Sequence, residues 1–143
     1  ACRGDGGCGS AGVPLDPLTP VPERVADAMF SIRVPRDAAL LYRLNGDLNA
    51  LHVDPAYAAQ AGFPRPILHG LCTFGYAGYA IGRTLGAEGI ADVGFIAARF
   101  TSVVFPGDRL EVDIWHEDRE VYFRARVPER GVTALDYGNA RLS

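Results

Sequence analysis

Pro66-Ile67-Leu68-His69-Gly70-Leu71-Cys72-Thr73-Phe74-Gly75-Tyr76-Ala77-Gly78-Tyr79-Ala80-Ile81 is the longest apolar stretch of the chain. It is apolar almost all round, too long for one strand, and spaced with the small residues Gly70, Gly75, Ala77, Gly78 and Ala80. Such a pattern predicts a buried helix, over about 68–84, whose small residues let neighbouring backbones come close. What flanks it decides the fold. Downstream, apolar and polar residues alternate through 93–104, 109–117, 120–127 and 132–142, with a kink expected at Ala97-Ala98. Pro106-Gly107-Asp108 and Glu129-Arg130-Gly131 supply turns between them, so an antiparallel meander is expected. Upstream, 25–34 alternates as one more strand and Pro35 ends it. One buried helix with an antiparallel sheet long enough to curl around it predicts an α+β hot-dog fold.

Between the first strand and the helix lies a polar region of short elements. Asp37 to Leu44 reads as a short helix, and Asn45-Gly46-Asp47 as a turn in which Gly46 tolerates positive φ. Asp54 caps a second short helix that starts at Pro55 and closes at Gly62. Residues 1–22 are rich in Gly and Pro and predict a linker or arm, leaving 23–143 as the folded domain. The chain opens on Ala rather than Met, so processing, or excision from a longer protein, is expected.

The composition narrows the function. With 143 residues the chain is sized for one domain. A net charge of −3 argues against a nucleic-acid binder. All 14 basic residues are Arg, which a codon bias explains better than a phosphate-binding role, so nothing functional is drawn from it. The three cysteines form neither a disulfide framework nor a zinc motif, and Cys72 reads as a small buried hydrophobe. No apolar run approaches the roughly 18 residues a membrane span needs. The expectation is a soluble, cytoplasmic protein with no metal.

Two stretches carry chemistry. In Tyr42-Arg43-Leu44-Asn45-Gly46-Asp47-Leu48-Asn49-Ala50-Leu51-His52-Val53-Asp54-Pro55, a carboxylate, an amide and an imidazole fall within one loop: Asp47, Asn49 and His52. Such a set can hold a water while one group takes a proton and another gives one. In Ala61-Gly62-Phe63-Pro64-Arg65-Pro66-Ile67-Leu68-His69-Gly70-Leu71-Cys72, Gly70 opens the long helix. Its N–H is among the donors a helix start leaves unpaired, and no side chain blocks an approaching oxygen. That is the makings of an oxyanion hole. Taken alone, the first stretch reads rather as a polar loop and the second as a loop-to-helix junction.

Together, in this order and separation, they resemble the 2-enoyl-CoA hydratase 2 group of the MaoC-like hydratases, which includes the hydratase part of peroxisomal multifunctional enzyme type 2. The resemblance covers roughly 25–143, with Arg99-Phe100 and Phe105-Pro106-Gly107-Asp108 adding to it. It implies reversible hydration of a trans-2-enoyl-CoA to a (3R)-3-hydroxyacyl-CoA. Asp47 and His52 would be the acid/base pair, Asn49 would orient the water, and the Gly70 N–H would bind the thioester oxygen. Phe100 and the backbone around Leu48, Ala50 and Leu51 would touch substrate. No cofactor is implied, since CoA belongs to the substrate.

Two departures from the family pattern stand out: Ala50 where a Pro is usual, and Asn45 where a Ser is usual. Many relatives carry two hot-dog domains, and Arg3-Gly4-Asp5-Gly6-Gly7 resembles the end of the first. The chain is therefore expected to be the second half of a larger enzyme or to homodimerise. Rival expectations are an acyl-CoA thioesterase and a non-catalytic acyl-CoA-binding half. His116 reads as solvated. Arg65 and Arg83 are either solvated or phosphate contacts.

Overall fold

The computed structural model describes residues 17–143. Most of the expected Gly/Pro-rich arm, with Arg3-Gly4-Asp5, Cys2 and Cys8, lies outside the described residues. Residues 17–22 form no helix or strand, and Val21 among them is buried.

One strand, three helices and four further strands follow in order: β1 (Ala28–Arg33), α1 (Ala38–Tyr42), α2 (Pro55–Gln60), α3 (Gly70–Ala91), β2 (Val93–Phe100), β3 (Arg109–Glu117), β4 (Glu120–Val127) and β5 (Val132–Leu142). The strands form one antiparallel sheet in the order β1-β3-β4-β5-β2. Alternation drives the pairing. In β4 every second residue (Val121, Phe123, Ala125, Val127) is fully buried, while Arg124 and Arg126 point to the other face. There Arg126 pairs with Asp113 on β3 and Arg124 with Asp136 on β5.

The sheet curls because β5 is irregular. Tyr137 adopts φ 53°, and the register with β4 slips between Phe123 and Ala125. On the other flank the register with β2 slips between Ala97 and Arg99, where a kink was expected. Bulges of this kind bend strands and increase their twist. At Gly138 a Cβ would lie 2.3 Å from the Phe123 carbonyl oxygen, so only glycine allows β4 and β5 this close.

The curl wraps α3. Ala77, Ala80 and Ile81 meet Val112, Ile114, Val121, Phe123, Leu135 and Ala140 in the main core. A second cluster of Val34, Ala38, Ala39, Leu68, Val104, Leu110, Val127 and Ala134 closes the end near the head of the helix. Two expectations need correction here. The helix begins at Gly70 rather than 68, because Ile67 and Leu68 are held extended: Leu68 N donates to Val104 O at 2.7 Å and Ile67 N to Leu51 O at 3.3 Å. Its regular part runs to Leu85, where Gly86 (φ 82°, ψ 174°) breaks it. Nor is it buried all round. Leu71 is 65% exposed and Tyr79 54%, so one apolar face lies open. Cys72 borders that face and is half-buried rather than buried. Among the described residues, no helix is long and apolar enough to cross a membrane.

Candidate active site

Local hydrogen bonds shape the loop between α1 and α2. Gly46 turns the chain at φ 103°, a left-handed conformation that glycine takes without strain. The Asp47 carboxylate accepts from Asn49 N at 3.3 Å, and the Asn49 side-chain oxygen accepts from Leu51 N at 3.0 Å. The second bond caps a single 3₁₀ turn, Ala50–His52, that brings His52 inward to 9% exposure. Asp54 then caps α2 through Ala56 N and Tyr57 N, with Pro55 at the first helical position, as expected.

His52 is oriented by a second strand of chain. Its Nδ1 lies 2.8 Å from the Ile67 carbonyl, an oxygen that only accepts, so Nδ1 carries the hydrogen. In the neutral ring Nε2 is then the bare, proton-accepting nitrogen. The extended Ile67-Leu68 segment thus fixes both the start of α3 and the tautomer of His52.

Behind His52 sits His69, which is 2% exposed. The two imidazoles stack with centroids 3.7 Å apart and planes 25° apart, and the Tyr42 ring leans on His69 at 4.8 Å. His69 Nε2 lies 3.3 Å from the Asp47 carbonyl. Burial, and then the neighbouring His52, push the His69 pKa below the ordinary histidine value. A carboxylate oxygen of Asp47 and a ring nitrogen of each histidine lie within 4.8 Å of one another. A metal would need in-plane lone pairs converging at about 2.0–2.1 Å. Two nearly parallel stacked rings do not offer that, so the arrangement suits proton exchange better than ligation.

Gly70 lies across from these groups. It is the first residue of α3, and its N–H has no acceptor among the described residues. The partial positive charge of the helix start adds to that donor. A Cβ on Gly70 would come 3.2 Å from Phe100 Cε1, so the missing side chain keeps a gap open. Two cavities meet at this Gly70–Phe100 gap. One, of about 310 Å³, is lined by His52, Ile67, Leu68, Thr73 and 101–104. The other, of about 600 Å³, is lined by Tyr42, Asn45, Asp47, His69 and Leu71. On its far side His52 also borders a cleft of about 500 Å³ with Arg36, Arg65, Pro106 and Gly107.

The structure therefore brings Asp47, His52, Gly70 and Phe100 together. Leu48 is 65% exposed, and neither it nor Ala50 nor Leu51 lines any of these three cavities. The side-chain oxygen of Asn49 is spent on the cap.

The model of the MaoC-like domain family matches residues 17–137. The chain belongs to that family.

Among curated relatives of this MaoC-like domain, 3-hydroxyacyl-thioester dehydratase Y of Mycobacterium tuberculosis is 48% identical over 127 residues, 87% of this chain and 44% of that protein. Peroxisomal enoyl-CoA hydratase 2 of Arabidopsis thaliana is 44% identical over 115 residues, 80% of this chain and 37% of that protein. The crystal structure of a MaoC-like dehydratase from Phytophthora capsici superposes with a TM-score of 0.87 at 36% identity, covering 92% of this chain and 47% of that one. The chain thus spans less than half the length of these relatives.

Two residues of the MaoC-like domain escaped the sequence reading. His69 stood beside Gly70 in the same motif, but a residue adjacent to a helix start gives no hint that its ring will turn back onto His52. Arg65 is exposed, in keeping with the solvated reading, but its guanidinium has protein partners the sequence did not suggest. Its guanidinium reaches Pro106 O at 3.2 Å and Asp108 at 3.4 Å and lies over the Phe105 ring. His116 is exposed, as expected, and so is Arg83.

Proposed function

We propose that this MaoC-like domain hydrates a trans-2-enoyl-CoA reversibly to the (3R)-3-hydroxyacyl-CoA, with no metal or redox cofactor. One observation carries the reading: the Asp47 carboxylate and the His52 imidazole converge on the gap where the Gly70 N–H has no acceptor among the described residues. Water held by Asp47 and His52 forms its bond to Cβ, and the double-bond electrons flow through Cα to the thioester oxygen. The Gly70 N–H and the head of α3 receive that charge, a preorganised donor worth on the order of 100-fold to 1,000-fold in rate. The pair removes one proton from the water and returns one to Cα, so no net charge is left on it. The names of the hydratase and dehydratase relatives support the same chemistry.

The open apolar face of α3 supports a second proposal, that another hot-dog unit covers it. That unit is a copy of this chain or the other half of a longer protein. A cytoplasmic setting goes with this reading, although one relative above is peroxisomal by name.

The test follows the ultraviolet absorbance of the conjugated enoyl thioester with crotonyl-CoA and a longer enoyl-CoA. The wild type should consume that absorbance, and Asp47→Asn should do so at least about 100-fold more slowly, the scale of a positioned acid/base group. Release of free CoA with the enoyl absorbance intact would replace hydration by thioester cleavage.

A further inference from the structure

We propose that His69 is a positioning residue of the hydration site: a neutral ring that holds the Asp47 backbone and the His52 imidazole in place beside the Gly70 amide. This rests on the hydration reading above. It adds a group that sits behind the reacting residues rather than among them.

Three contacts carry the inference. The ring of His69 stacks on His52 at 3.7 Å, leans on Tyr42 at 4.8 Å and meets the Asp47 carbonyl through Nε2 at 3.3 Å. One buried side chain therefore touches both members of the acid/base pair. Its own main chain is fixed by the helix it precedes, since its carbonyl accepts from Cys72 N at 3.1 Å and Thr73 N at 3.2 Å. Through His69 the loop carrying Asp47 and His52 is referenced to the same turn of α3 that supplies the Gly70 donor. Ile67, just ahead of that turn, holds the His52 end of the loop through Leu51 O and His52 Nδ1, and His69 adds a tie at the Asp47 end.

The ring must be neutral to do this well. The Asp47 carbonyl accepts, so Nε2 carries the hydrogen and Nδ1 is bare in the neutral form. Nδ1 is buried with no partner among the described residues. A second proton would place an unpaired N–H there, at the cost of desolvating a charge. Of the groups facing the ring, Arg43 and His52 oppose a positive charge and Asp47 favours one, while burial is the largest single effect and opposes it. Tyr42 meets the His69 ring with its own aromatic ring. Staying neutral matters for His52, which can then gain a proton during turnover without a like charge stacked against it.

The two features of His69 can be removed separately. His69→Gln keeps a donor near Asp47 and loses the ring; His69→Phe keeps the ring and loses the donor; His69→Ala loses both. At a misplacement of the pair on the ångström scale, kcat should fall about 100-fold in the Ala variant and about 10-fold in each of the others, with KM little changed. The pH limb of kcat/KM that belongs to His52 should move in the Gln and Ala variants, which uncover its ring, and stay put in the Phe variant. A role in folding alone would lower the yield of active enzyme but leave that limb and kcat per active site unchanged. Folded variants with kcat within about twofold of the wild type, well inside the expected effect, would overturn the role of His69 and leave hydration standing. A wild type that hydrates no enoyl-CoA would overturn both.

Imidazole ¹⁵N spectra of the wild type give a second test that needs no variant. His69 should titrate at lower pH than an ordinary histidine, and its neutral form should carry the hydrogen on Nε2. A His69 that titrates no lower than an ordinary histidine, or carries its hydrogen on Nδ1, would overturn the proposal.

Discussion

Gly70 and Phe100 face each other across a gap that one methyl group would close, since a Cβ on Gly70 would stand 3.2 Å from the Phe100 ring. The backbone at Gly70 is not in the left-handed region, so alanine could adopt it without strain. What Gly70→Ala takes away is room, both for Phe100 and for an oxygen approaching the N–H. Stability should change little, because Phe100 is about half exposed and its ring has space to shift. Hydration should fall on the order of 100-fold, the value of one oxyanion donor. Phe100→Ala in the Gly70→Ala background should restore access if crowding is the cause. Steady-state kinetics of the two variants check this.

Asn49 separates orientation of water from orientation of His52. Its side-chain oxygen caps the turn that carries His52, and aspartate caps equally well. Asn49→Ala should therefore cost about 1 kcal/mol in a denaturant melt, whereas Asn49→Asp should cost little. Both variants should slow hydration if the amide N–H₂ also orients the water. If only the alanine variant is slow, the contribution of Asn49 is to the turn alone.

These two residues show what was legible in the sequence. β3, β4 and β5 were readable to the residue because period-two alternation and the turns Pro106-Gly107-Asp108 and Glu129-Arg130-Gly131 are local signals. Asp47, His52 and Gly70 stand out in the sequence because of their motifs, and the structure places them near one another. The extended Ile67-Leu68 run ahead of α3 was not legible, since it depends on Leu68 pairing with Val104, a partner far along the chain. His69 was hidden for the same reason: its importance lies in a stack with His52, and no periodicity reports a stack. The partners of Arg65 were hidden as well, because Pro106 and Asp108 lie far along the chain.

Stability should depend on pH through His69. Its folded pKa is lowered while the unfolded chain titrates near the ordinary 6.5. Between the lowered value and 6.5 the unfolded state binds more protons, so stability rises with pH across that window and is fully present above it. Acidification below 6.5 should progressively destabilise the domain. In His69→Phe, which has no proton to bind there, that slope should shrink. Denaturant melts of both proteins at several pH values decide the matter, and parallel slopes would mean that His69 does not carry the effect.

Asp108 should prove the most damaging residue to remove away from the acid/base pair. It is 6% exposed, yet it accepts from Phe105 N at 2.9 Å, from Arg130 Nε at 3.0 Å and from Arg65 Nη2 at 3.4 Å. The same two guanidinium groups lie over the Phe105 ring at 4.7 and 4.9 Å. Replacing it by alanine strands the Phe105 N–H and leaves Arg130, only about a quarter exposed, without its counter-charge. Breaking a buried pair by removing one partner costs about 3–5 kcal/mol. Asp108→Asn keeps an acceptor for Phe105 N and should lose less. Because Pro106 and Gly107, in the turn that Asp108 holds, line the cleft beside His52, the alanine variant should also raise KM for enoyl-CoA at temperatures where it is still folded. A melt in which Asp108→Ala matches the wild type would show that the arginine cage around Phe105 holds the turn without its carboxylate.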